Sequence, residues 1–372
     1  MTQSITEMTA VEPNHTERSS RLVQVTISVV IVSYNSRDYI DACIASLQRT
    51  LPPNAEIVIV DNASPDGTAD YIAAHHPSVK LIAHTDNAGF AVGNNLAVAH
   101  ARGKYIVFIN PDTTVEAGWL EPMIDVLEQA SNVGLVTPKI LLMQNPERVN
   151  TCGNTVHLTG LTLCRGVGAP SDAPALDYVT EVNAISGAAF VMRRALYEAL
   201  GGFDGLLFMY MEDTDLSLRA RQMGYKCLYT PHSVIYHDYQ LRFGSRKTFY
   251  QERNRYIMLL KLLHWRTLAL LVPAFILSEL VTWGFTLLKD RGNVANKPAA
   301  YLAVFKLWKS IMAQRKQTQA VRRVSDHELL AELTYKMEFE QTGRNAISAL
   351  AHLIFDPLFW TIQRLLLLIV RW

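Results

Sequence analysis

The front part of the chain alternates short apolar runs with longer segments of mixed polarity. The apolar runs lie at residues 25–32, 56–60, 79–82, 105–109 and 187–192, and those at 25–32, 56–60 and 105–109 are rich in Val and Ile. Uninterrupted runs of this kind are typical of strands that are buried on both faces of a sheet. Helical spacing is found at residues 38–47, from 68 onward, at 88–101, at 119–129 and at 212–223. This alternation predicts an α/β fold with a parallel, doubly wound sheet.

Polar residues stand where three of the predicted strands end. Tyr34 follows the first strand, Asp61 ends the second, and Asn110 and Asp112 follow the fourth. Doubly wound sheets bind ligands in the crevice beyond the carboxyl ends of their strands, so these residues are candidates for a site. No G-x-G-x-x-G turn follows the first strand and no P-loop motif occurs, which argues against a nicotinamide dehydrogenase and a P-loop kinase or ATPase.

Each of the two aspartates allows two interpretations. Asp61 can accept hydrogen bonds from a base imide or a ribose hydroxyl, or it can serve as a turn or helix-cap residue. Asp112 can hold a divalent cation against a diphosphate, because Mg²⁺ takes one or two protein carboxylates and completes its shell with phosphate and water. Within the sequence Asn-Pro-Asp-Thr it can equally be a turn residue.

Acidic residues also cluster at the start of the helix predicted at 212–223. Glu212, Asp213 and Asp215 can favour the helix dipole, or one of them can act as a general base towards a sugar hydroxyl. A glycine-rich stretch precedes them and can bring this helix start to the crevice. His237 ends a further apolar strand, where it can be a metal ligand at the crevice rim or a structural histidine.

Other parts of the chain limit its class. Residues 139–181 hold scattered Gly, Pro, Thr and Asn and are expected to form loops and short antiparallel strands. Residues 1–23 are polar, carry no secretory signal and are expected to be a disordered lead-in. The four Cys include no C-x-x-C pair, so we expect neither a disulfide framework nor a cysteine zinc site, and a reducing compartment is the default.

Charge divides the chain into two unlike parts. Residues 240–372 contain 20 Lys and Arg against 9 Asp and Glu, whereas residues 1–239 contain 15 against 25. The basic part also holds the longest apolar stretch, Leu268 to Leu288, which is about long enough to cross a bilayer. Glu279 lies near the middle of this stretch, and placing its charged side chain in contact with lipid is energetically unfavourable. An interfacial position is therefore favoured over a span.

A second apolar segment, residues 346–372, is amphipathic, and several Lys and Arg lie between residues 306 and 323. Residues 263–372 are therefore predicted to form a helical, basic region that associates with membrane lipid. Both apolar segments could instead be core helices of a soluble α-domain or a dimer interface. Nucleic acid is not expected as a partner, because aromatic and basic residues do not interleave on a sheet.

Six short motifs occur in order along these predicted elements. They are Ser-Val-Val-Ile-Val-Ser-Tyr-Asn (28–35), Val-Asp-Asn-Ala-Ser (60–64), Asn-Ala-Gly-Phe-Ala-Val-Gly-Asn-Asn (87–95), Asn-Pro-Asp-Thr (110–113), Ser-Gly-Ala-Ala-Phe (186–190) and Glu-Asp-Thr-Asp-Leu (212–216). Together they resemble family 2 glycosyltransferases, most of all the rhamnosyltransferase branch, over about residues 25–260. The resemblance implies a GT-A fold, a Rossmann-like and mostly parallel sheet flanked by helices, at residues 24–262.

The resemblance also implies the roles of individual residues. The positions that match donor-binding residues of the family are Tyr34, Asp61, Asn87, Gly89, Asn94, Asn110 and Gly187. Asp213 matches the catalytic base, Asp112 matches a metal-binding carboxylate, and His237 matches a metal-binding histidine of some relatives. Asn110 stands where many members carry another Asp, which removes one charge next to the metal.

The implied reaction is an inverting sugar transfer that uses Mg²⁺ or Mn²⁺. We expect L-rhamnose from dTDP-rhamnose to pass to a polysaccharide or a polyprenyl-linked glycan of the cell envelope. The alternatives are a UDP-sugar donor such as UDP-galactofuranose, or an inactive membrane scaffold. A nucleotidyltransferase would need a Gly-rich, basic loop after the first strand, which residues 33–36 lack. The expected place is the cytoplasmic face of the membrane, peripheral or monotopic, with residues 268–288 embedded as an alternative; self-association is left open.

Overall fold

The computed structural model describes residues 25–239, 246–337 and 346–372, and the lead-in expected at 1–23 lies outside them. The strands are β1 (Ile27–Ser33), β2 (Ala55–Asp61), β3 (Lys80–Ala83), β4 (Tyr105–Ile109), β5 (Thr113–Val115), β6 (Val133–Leu142), β7 (Asn145–Thr151), β8 (Asn154–Val156), β9 (Thr162–Cys164), β10 (Thr180–Val182), β11 (Ala189–Arg193) and β12 (Lys226–His237). The α-helices are α1 (Ile40–Thr50), α2 (Thr68–His75), α3 (Gly89–His100), α4 (Glu121–Glu128), α5 (Arg194–Ala199), α6 (Glu212–Gln222), α7 (Lys247–Leu262), α8 (Trp265–Leu270), α9 (Val272–Lys289), α10 (Asn296–Lys306), α11 (Trp308–Ala320), α12 (Asp326–Glu332) and α13 (Ala346–Ile369).

One large sheet contains most of these strands, in the order β10-β12-β6-β11-β4-β1-β2-β3. The pairs β1–β2, β1–β4, β2–β3 and β12–β6 are parallel. Strand β11 is antiparallel to both of its neighbours, β4 and β6. The predicted α/β fold with a mostly parallel sheet is therefore confirmed, although β11 runs against the expected direction.

The apolar strands are buried on both faces because alternate residues enter two different cores. In β1, Val29 and Ile31 pack in one core with α1 and α4, whereas Val30 packs in the other with α3. All three side chains are fully buried. A strand that faces water on one side would alternate apolar and polar residues, so the uninterrupted run in the sequence reflects this double burial.

Strand β6 lies in the middle of the sheet but was not predicted. Gly134, Pro138 and Lys139 interrupt its apolar pattern, and its last residues fall in the stretch 139–181, where loops and short antiparallel strands are predicted. Proline cannot donate to a ladder of hydrogen bonds and is tolerated in strands mainly at irregularities. Here Pro138 lies opposite Thr230, where the register of β12 shifts. The long-range partner therefore decides that these residues form a strand.

Helix α6 differs from the charged, amphipathic helix that the sequence suggests. Arg219 and Arg221 are both buried rather than solvated. Arg219 pairs with Asp215 one turn earlier, and Arg221 pairs with Glu181 and Glu332. Acidic partners, one on the same helix and two from remote parts of the chain, thus allow this charged face to enter the core.

The C-terminal helices predicted at 263–372 are present, and they share a core with the sheet domain. Leu218 of α6 and Met258 of α7 belong to the same buried cluster as Leu271, Ala274 and Phe359 from α8 to α13. Among the described helices, α9 and residues 349–369 of α13 are long and apolar enough to cross a bilayer by composition alone. The region therefore packs against the domain and still carries two strongly apolar helices.

Candidate active site

Three separate parts of the chain meet at one edge of the sheet. Because β11 is antiparallel to β4, its first residues lie beside the end of β4, and the N–H of Asn110 donates to the carbonyl of Ala188 at 2.9 Å. Strand β12 ends at the same edge with His237. The N–H of Asp238 donates to the carbonyl of Asp112 at 2.9 Å. The topology therefore gathers the ends of β4, β11 and β12 where the sequence predicted a crevice.

A cavity of about 320 Å³ lies at this edge. Four of the predicted site residues line it: Asn110, Gly187, Asp213 and His237. The other lining residues come mainly from β7, β8, β9, α6 and α7, and they include Glu212, Asn150, Asn154, Thr162, Cys164 and Lys247. The candidate base and one candidate metal ligand therefore share a single cavity.

Asp213 is the second residue of α6 and is held by hydrogen bonds to both carboxylate oxygens. Its Oδ2 accepts from the N–H of Gly187 at 2.8 Å, and its Oδ1 accepts from the N–H of Thr214 at 2.6 Å. The Nδ2 of Asn154 lies 3.4 Å from Oδ2. Burial raises the pKa of the Asp213 carboxyl, while these N–H donors limit the rise because they favour the charged form. The result is an oriented carboxylate on the cavity wall, more basic than an ordinary Asp.

The other two carboxylates at the start of α6 have different environments. Asp215 is fully buried and pairs with Lys261 at 2.7 Å and with Arg219 at 2.8 Å. Burial alone would raise the pKa of Asp215, but the two cations outweigh it and hold the pKa below its ordinary value. For Glu212, burial and the charge of Asp213 raise the pKa well above its usual range. Asp215 is thus a structural ion-pair partner, and only Glu212 and Asp213 line the cavity.

Asp112 and His237 form a pair of facing acceptors. The Nε2 of His237 lies 3.3 Å from the Oδ1 of Asp112. The Nδ1 of the same ring lies 2.9 Å from the Oδ1 of Asn150, so Nδ1 carries the hydrogen and Nε2 keeps its lone pair. The buried Oδ1 of Asp112 has no hydrogen-bond partner. With Nε2 unprotonated, both atoms offer lone pairs, so the residues present fit a divalent metal ion.

The protein donors at this position are few. Among the residues that the structure describes, no three His, Cys, Asp or Glu converge to form a metal site. Mg²⁺ characteristically keeps several waters and takes substrate phosphates as ligands, so a pair of protein ligands is sufficient for it. The buried Oδ1 of Asn110 also lacks a hydrogen-bond partner. This amide oxygen remains available at the cavity, where many family members are expected to carry a carboxylate.

The two predicted donor residues at the ends of β1 and β2 do not line this cavity. Tyr34 is about half exposed. Asp61 is buried, and its Oδ1 accepts from the hydroxyls of Ser33 and Ser64 at 2.8 and 2.6 Å. Its Oδ2 accepts from the N–H of Ser64 at 2.9 Å. The turn role that the sequence allowed for Asp61 is therefore present, and its donor role stays a prediction.

The predicted donor loop at the start of α3 packs against the segment that leads into α6. The Oδ1 of Asn87 accepts from the N–H of Gly89 at 3.0 Å. Gly89 has φ +84°, and a Cβ on it would lie 2.5 Å from the ring of Phe208. Asn94 is buried, and its Nδ2 donates to the carbonyl of Phe90 at 2.9 Å. Only glycine fits at position 89, since both the backbone conformation and the close contact exclude a side chain.

The sequence did not single out Asn150 and Asn154, which contact the two most important side chains. Asn150 orients His237, and Asn154 approaches Asp213. Both lie in the stretch 139–181, where loops and short antiparallel strands are predicted, and they belong to the short antiparallel strands β7 and β8. The only local signal is the density of amide and hydroxyl residues in Val-Asn-Thr-Cys-Gly-Asn-Thr at 149–155. Nothing in that spacing indicates which distant residues they would meet.

Known proteins resemble part of this chain. Residues 28–200 match the family described as glycosyl transferase family 2. The N-acetylglucosaminyl-diphospho-decaprenol L-rhamnosyltransferase of Mycobacterium tuberculosis is 24% identical over 234 residues, which cover 57% of this chain and 75% of that protein. The pre-mycofactocin glycosyltransferase of the same organism is 28% identical over 229 residues, which cover 60% of this chain and 46% of that protein. An uncharacterized protein of Sinorhizobium fredii is 27% identical over 233 residues, covering 60% and 25%, so the chain spans between one quarter and three quarters of these relatives.

Solved structures show the same fold. GalNAc-T7 with UDP, GalNAc and Mn²⁺ has a TM-score of 0.53 at 19% identity, and the match covers 63% of this chain and 48% of that one. S. aureus TarS residues 1–349 in complex with UDP has a TM-score of 0.51 at 16% identity, covering 91% and 90%. The mostly parallel sheet of this chain is thus the fold of these solved structures. Residues 28–200 carry its match to glycosyl transferase family 2, in agreement with the six motifs.

Proposed function

We propose that the protein is an inverting glycosyltransferase that moves a sugar from a nucleotide-sugar donor to an acceptor hydroxyl in cell-envelope glycan synthesis. One observation carries the proposal: the oriented carboxylate of Asp213 and the metal-ligand candidate His237 line the same cavity. A glycosyl transfer needs a base and a diphosphate-binding group in one cavity. The family of residues 28–200 supports the same reaction class.

In the proposed reaction, the acceptor hydroxyl attacks the anomeric carbon while the bond from that carbon to the diphosphate breaks. The hydroxyl proton passes to the Asp213 carboxylate, which acts as general base. The N–H groups of Gly187 and Thr214 hold that carboxylate in place. The nucleoside diphosphate leaves on the opposite side, so a single displacement inverts the anomeric centre and needs no covalent nucleophile.

Asp112 and His237 would hold Mg²⁺ or Mn²⁺, through the unpartnered Oδ1 of the first and the Nε2 lone pair of the second. When bound, the cation neutralises the charge that develops on the departing diphosphate. Asn150 keeps the imidazole in the tautomer that can bind metal. Asn110 is the further residue that we propose to contact the donor at this end of the cavity.

For the substrates we propose dTDP-L-rhamnose and a polyprenyl-diphosphate-linked glycan. The support is the M. tuberculosis relative, whose name gives L-rhamnose as the sugar and N-acetylglucosaminyl-diphospho-decaprenol as the acceptor. This relative matches over 75% of its own length. A UDP-sugar such as UDP-galactofuranose is the alternative donor, since the TarS structure of the same fold contains UDP.

We further propose that the C-terminal helices lie on the cytoplasmic face of the membrane. In α9, Ile276 and Leu280 are 58% and 61% exposed; in α13, Leu353 and Leu368 are 74% and 66% exposed. Exposed apolar residues in this number are unusual for a soluble surface and mark an interaction site. The positive charge of residues 240–372 complements an anionic leaflet.

Buried charges fix α9 to α7 and α10, which supports an in-plane position over a span at 268–288. Glu279 of α9 accepts from Arg255 of α7 at 2.6 Å and lies 3.1 Å from Lys297 of α10. Arg255 and Lys297 are both fully buried. Moving α9 alone across a bilayer would leave these charges without partners, which is strongly unfavourable.

The test is a transfer assay with the full chain on lipid vesicles. Purified protein is given dTDP-L-rhamnose or UDP-galactofuranose, Mg²⁺ and polyprenyl-diphospho-N-acetylglucosamine, and the lipid product is measured. We expect rhamnosyl transfer, and a loss of at least about 10²-fold in kcat for Asp213→Asn, the scale of a positioned base. The matched variant Glu212→Gln should keep turnover. Transfer from UDP-galactofuranose alone would make it the donor, and no turnover of either sugar nucleotide would favour an inactive scaffold.

A further inference from the structure

The segment that leads into α6 is held in an unfavourable backbone conformation. Phe208 has φ 62° and ψ −67°, and Tyr210 and Met211 have φ 63° and 69°. Residues with a side chain rarely adopt positive φ, and such conformations persist only where surrounding contacts impose them. Asp213 lies two residues after Met211, in the first turn of α6. The conformation of residues 207–211, here called the base turn, therefore determines where the Asp213 carboxylate stands.

Asn254 of α7 supplies contacts that impose this conformation. Its Nδ2 lies 2.8 Å from the carbonyl oxygen of Leu207, 2.9 Å from that of Met209 and 2.7 Å from that of Tyr210. The three carbonyl oxygens converge on this one nitrogen and share its two N–H groups. The Oδ1 of Asn254 accepts from the Nε of Arg253 at 2.8 Å, which fixes the orientation of the amide.

The surroundings make this amide hard to replace. Asn254 is fully buried, so a carbonyl that lost its N–H donor would not regain a partner from bulk water. Arg253 donates from Nη2 to the carbonyls of Leu206 and Leu207 at 2.9 and 2.8 Å, which secures the beginning of the turn. The later carbonyls, of Met209 and Tyr210, accept from Asn254.

We infer that Asn254 is a positioning residue for the base: it holds the carbonyls of the base turn and thereby fixes Asp213 at the cavity wall. Asn254 is not among the described residues that line the cavity, so it acts through the turn and not on the substrate. The inference rests on the proposed role of Asp213. A displacement of about 1 Å at a reacting group can cost about 10²-fold in rate, so loosening of this turn is sufficient to impair transfer.

The variant Asn254→Asp tests this inference, because it keeps the size of the side chain but removes both N–H donors. The matched control is Gln363→Glu. Gln363 is also buried, and its Nε2 donates to the carbonyls of Leu330 and Leu333 at 3.0 and 2.7 Å in the C-terminal core. Both variants remove an amide that binds backbone carbonyls, but only one of these amides holds the base turn. If Asn254→Asp does not fold, the same measurements are made on Asn254→Ser, which keeps one donor.

Two measurements are made on the full chain. In hydrogen exchange, amides of residues 207–211 should exchange at least about tenfold faster in Asn254→Asp, while those of β1 stay unchanged. In the vesicle assay, with whichever of dTDP-L-rhamnose and UDP-galactofuranose is turned over, kcat should fall at least about tenfold, with the donor KM within about twofold. Gln363→Glu should change neither the exchange of residues 207–211 nor kcat.

A folded Asn254 variant with wild-type exchange at 207–211 overturns the inference, and so does faster exchange with unchanged kcat. An equal loss of kcat in Gln363→Glu also overturns it, because the effect would then be one of general stability. Asp213→Asn separates this failure from failure of the proposed function. If Asp213→Asn keeps turnover, the base assignment is wrong; if it abolishes turnover while Asn254→Asp does not, only the positioning inference is wrong.

Discussion

The Nε2 of His237, at the end of β12, lies 3.3 Å from the Oδ1 of Asp112, which follows β4. Pairing between β12 and β5 brings the two together, and the hydrogen bond from the ring Nδ1 to Asn150 leaves two acceptors facing each other. In this tautomer both atoms offer lone pairs, which fits a divalent cation. The relationship therefore leads to the first prediction, which concerns metal-dependent binding of the donor nucleotide.

Asp112→Asn should weaken binding of a nucleoside diphosphate only when metal is present. Loss of even an outer partner of a metal ligand costs about 10–100-fold in metal affinity, so loss of the carboxylate itself should cost at least about tenfold. Calorimetric titration of dTDP and UDP with Mg²⁺, and again with EDTA, measures this difference. Equal weakening in both conditions would show that Asp112 acts without a metal.

Glu212→Gln should make the protein more stable at alkaline pH. Burial and the charge of Asp213 raise the pKa of Glu212 in the fold well above its ordinary value of 4.5. Between these two pKa values, the folded protein keeps a proton on Glu212 that the unfolded chain has released. The free energy of unfolding therefore falls as the pH rises from the ordinary pKa to the raised one. The melting temperatures of the two proteins should differ little near about pH 4, and the variant should have the higher melting temperature near about pH 8. A difference that does not grow with pH would contradict the raised pKa.

Gly89→Ala should destabilise the fold more than Gly118→Ala. Both glycines have positive φ, at +84° and +80°, so both substitutions strain the backbone. Only at Gly89 would the new Cβ collide, at 2.5 Å from the ring of Phe208; at Gly118 nothing lies within 4 Å. The extra cost should be about 1–3 kcal/mol, as for overpacked sites, measured by denaturant unfolding. Equal losses in the two variants would mean that Phe208 moves aside freely.

Leu280→Asp should weaken binding to anionic vesicles by about 10-fold or more, because a Leu removed from water contributes roughly 1.5–3 kcal/mol. Leu280 is 61% exposed on α9, so the fold should tolerate the change. Co-flotation with vesicles at low and high salt measures binding, and salt should weaken its electrostatic part. Tyr178→Asp is the control, since Tyr178 is 54% exposed but lies outside the C-terminal helices. Wild-type protein that stays soluble, monomeric and off the vesicles would contradict the membrane proposal.

The sequence by itself determined the strands β1, β2 and β4 and the start of α6. Continuous β-branched runs are stable in a fold only when both faces are buried, so they predict a central strand whatever their partner is. The same pattern predicted a crevice at the strand ends, and Asn110, Gly187, Asp213 and His237 indeed line one cavity. These features are local, because each depends on residue types at short spacing.

Only the tertiary structure decided the contacts that depend on remote partners. Hydrophobic periodicity does not encode direction, so it could not show that β11 runs antiparallel and thereby brings Gly187 to Asp213. A charged residue is expected to be exposed to solvent when its partner is not known. For this reason the burial of Lys261 between Asp204 and Asp215 was not predicted. The same holds for Asn254, whose amide is an ordinary polar group in the sequence. It becomes a positioning group only because the fold places three carbonyls around one nitrogen.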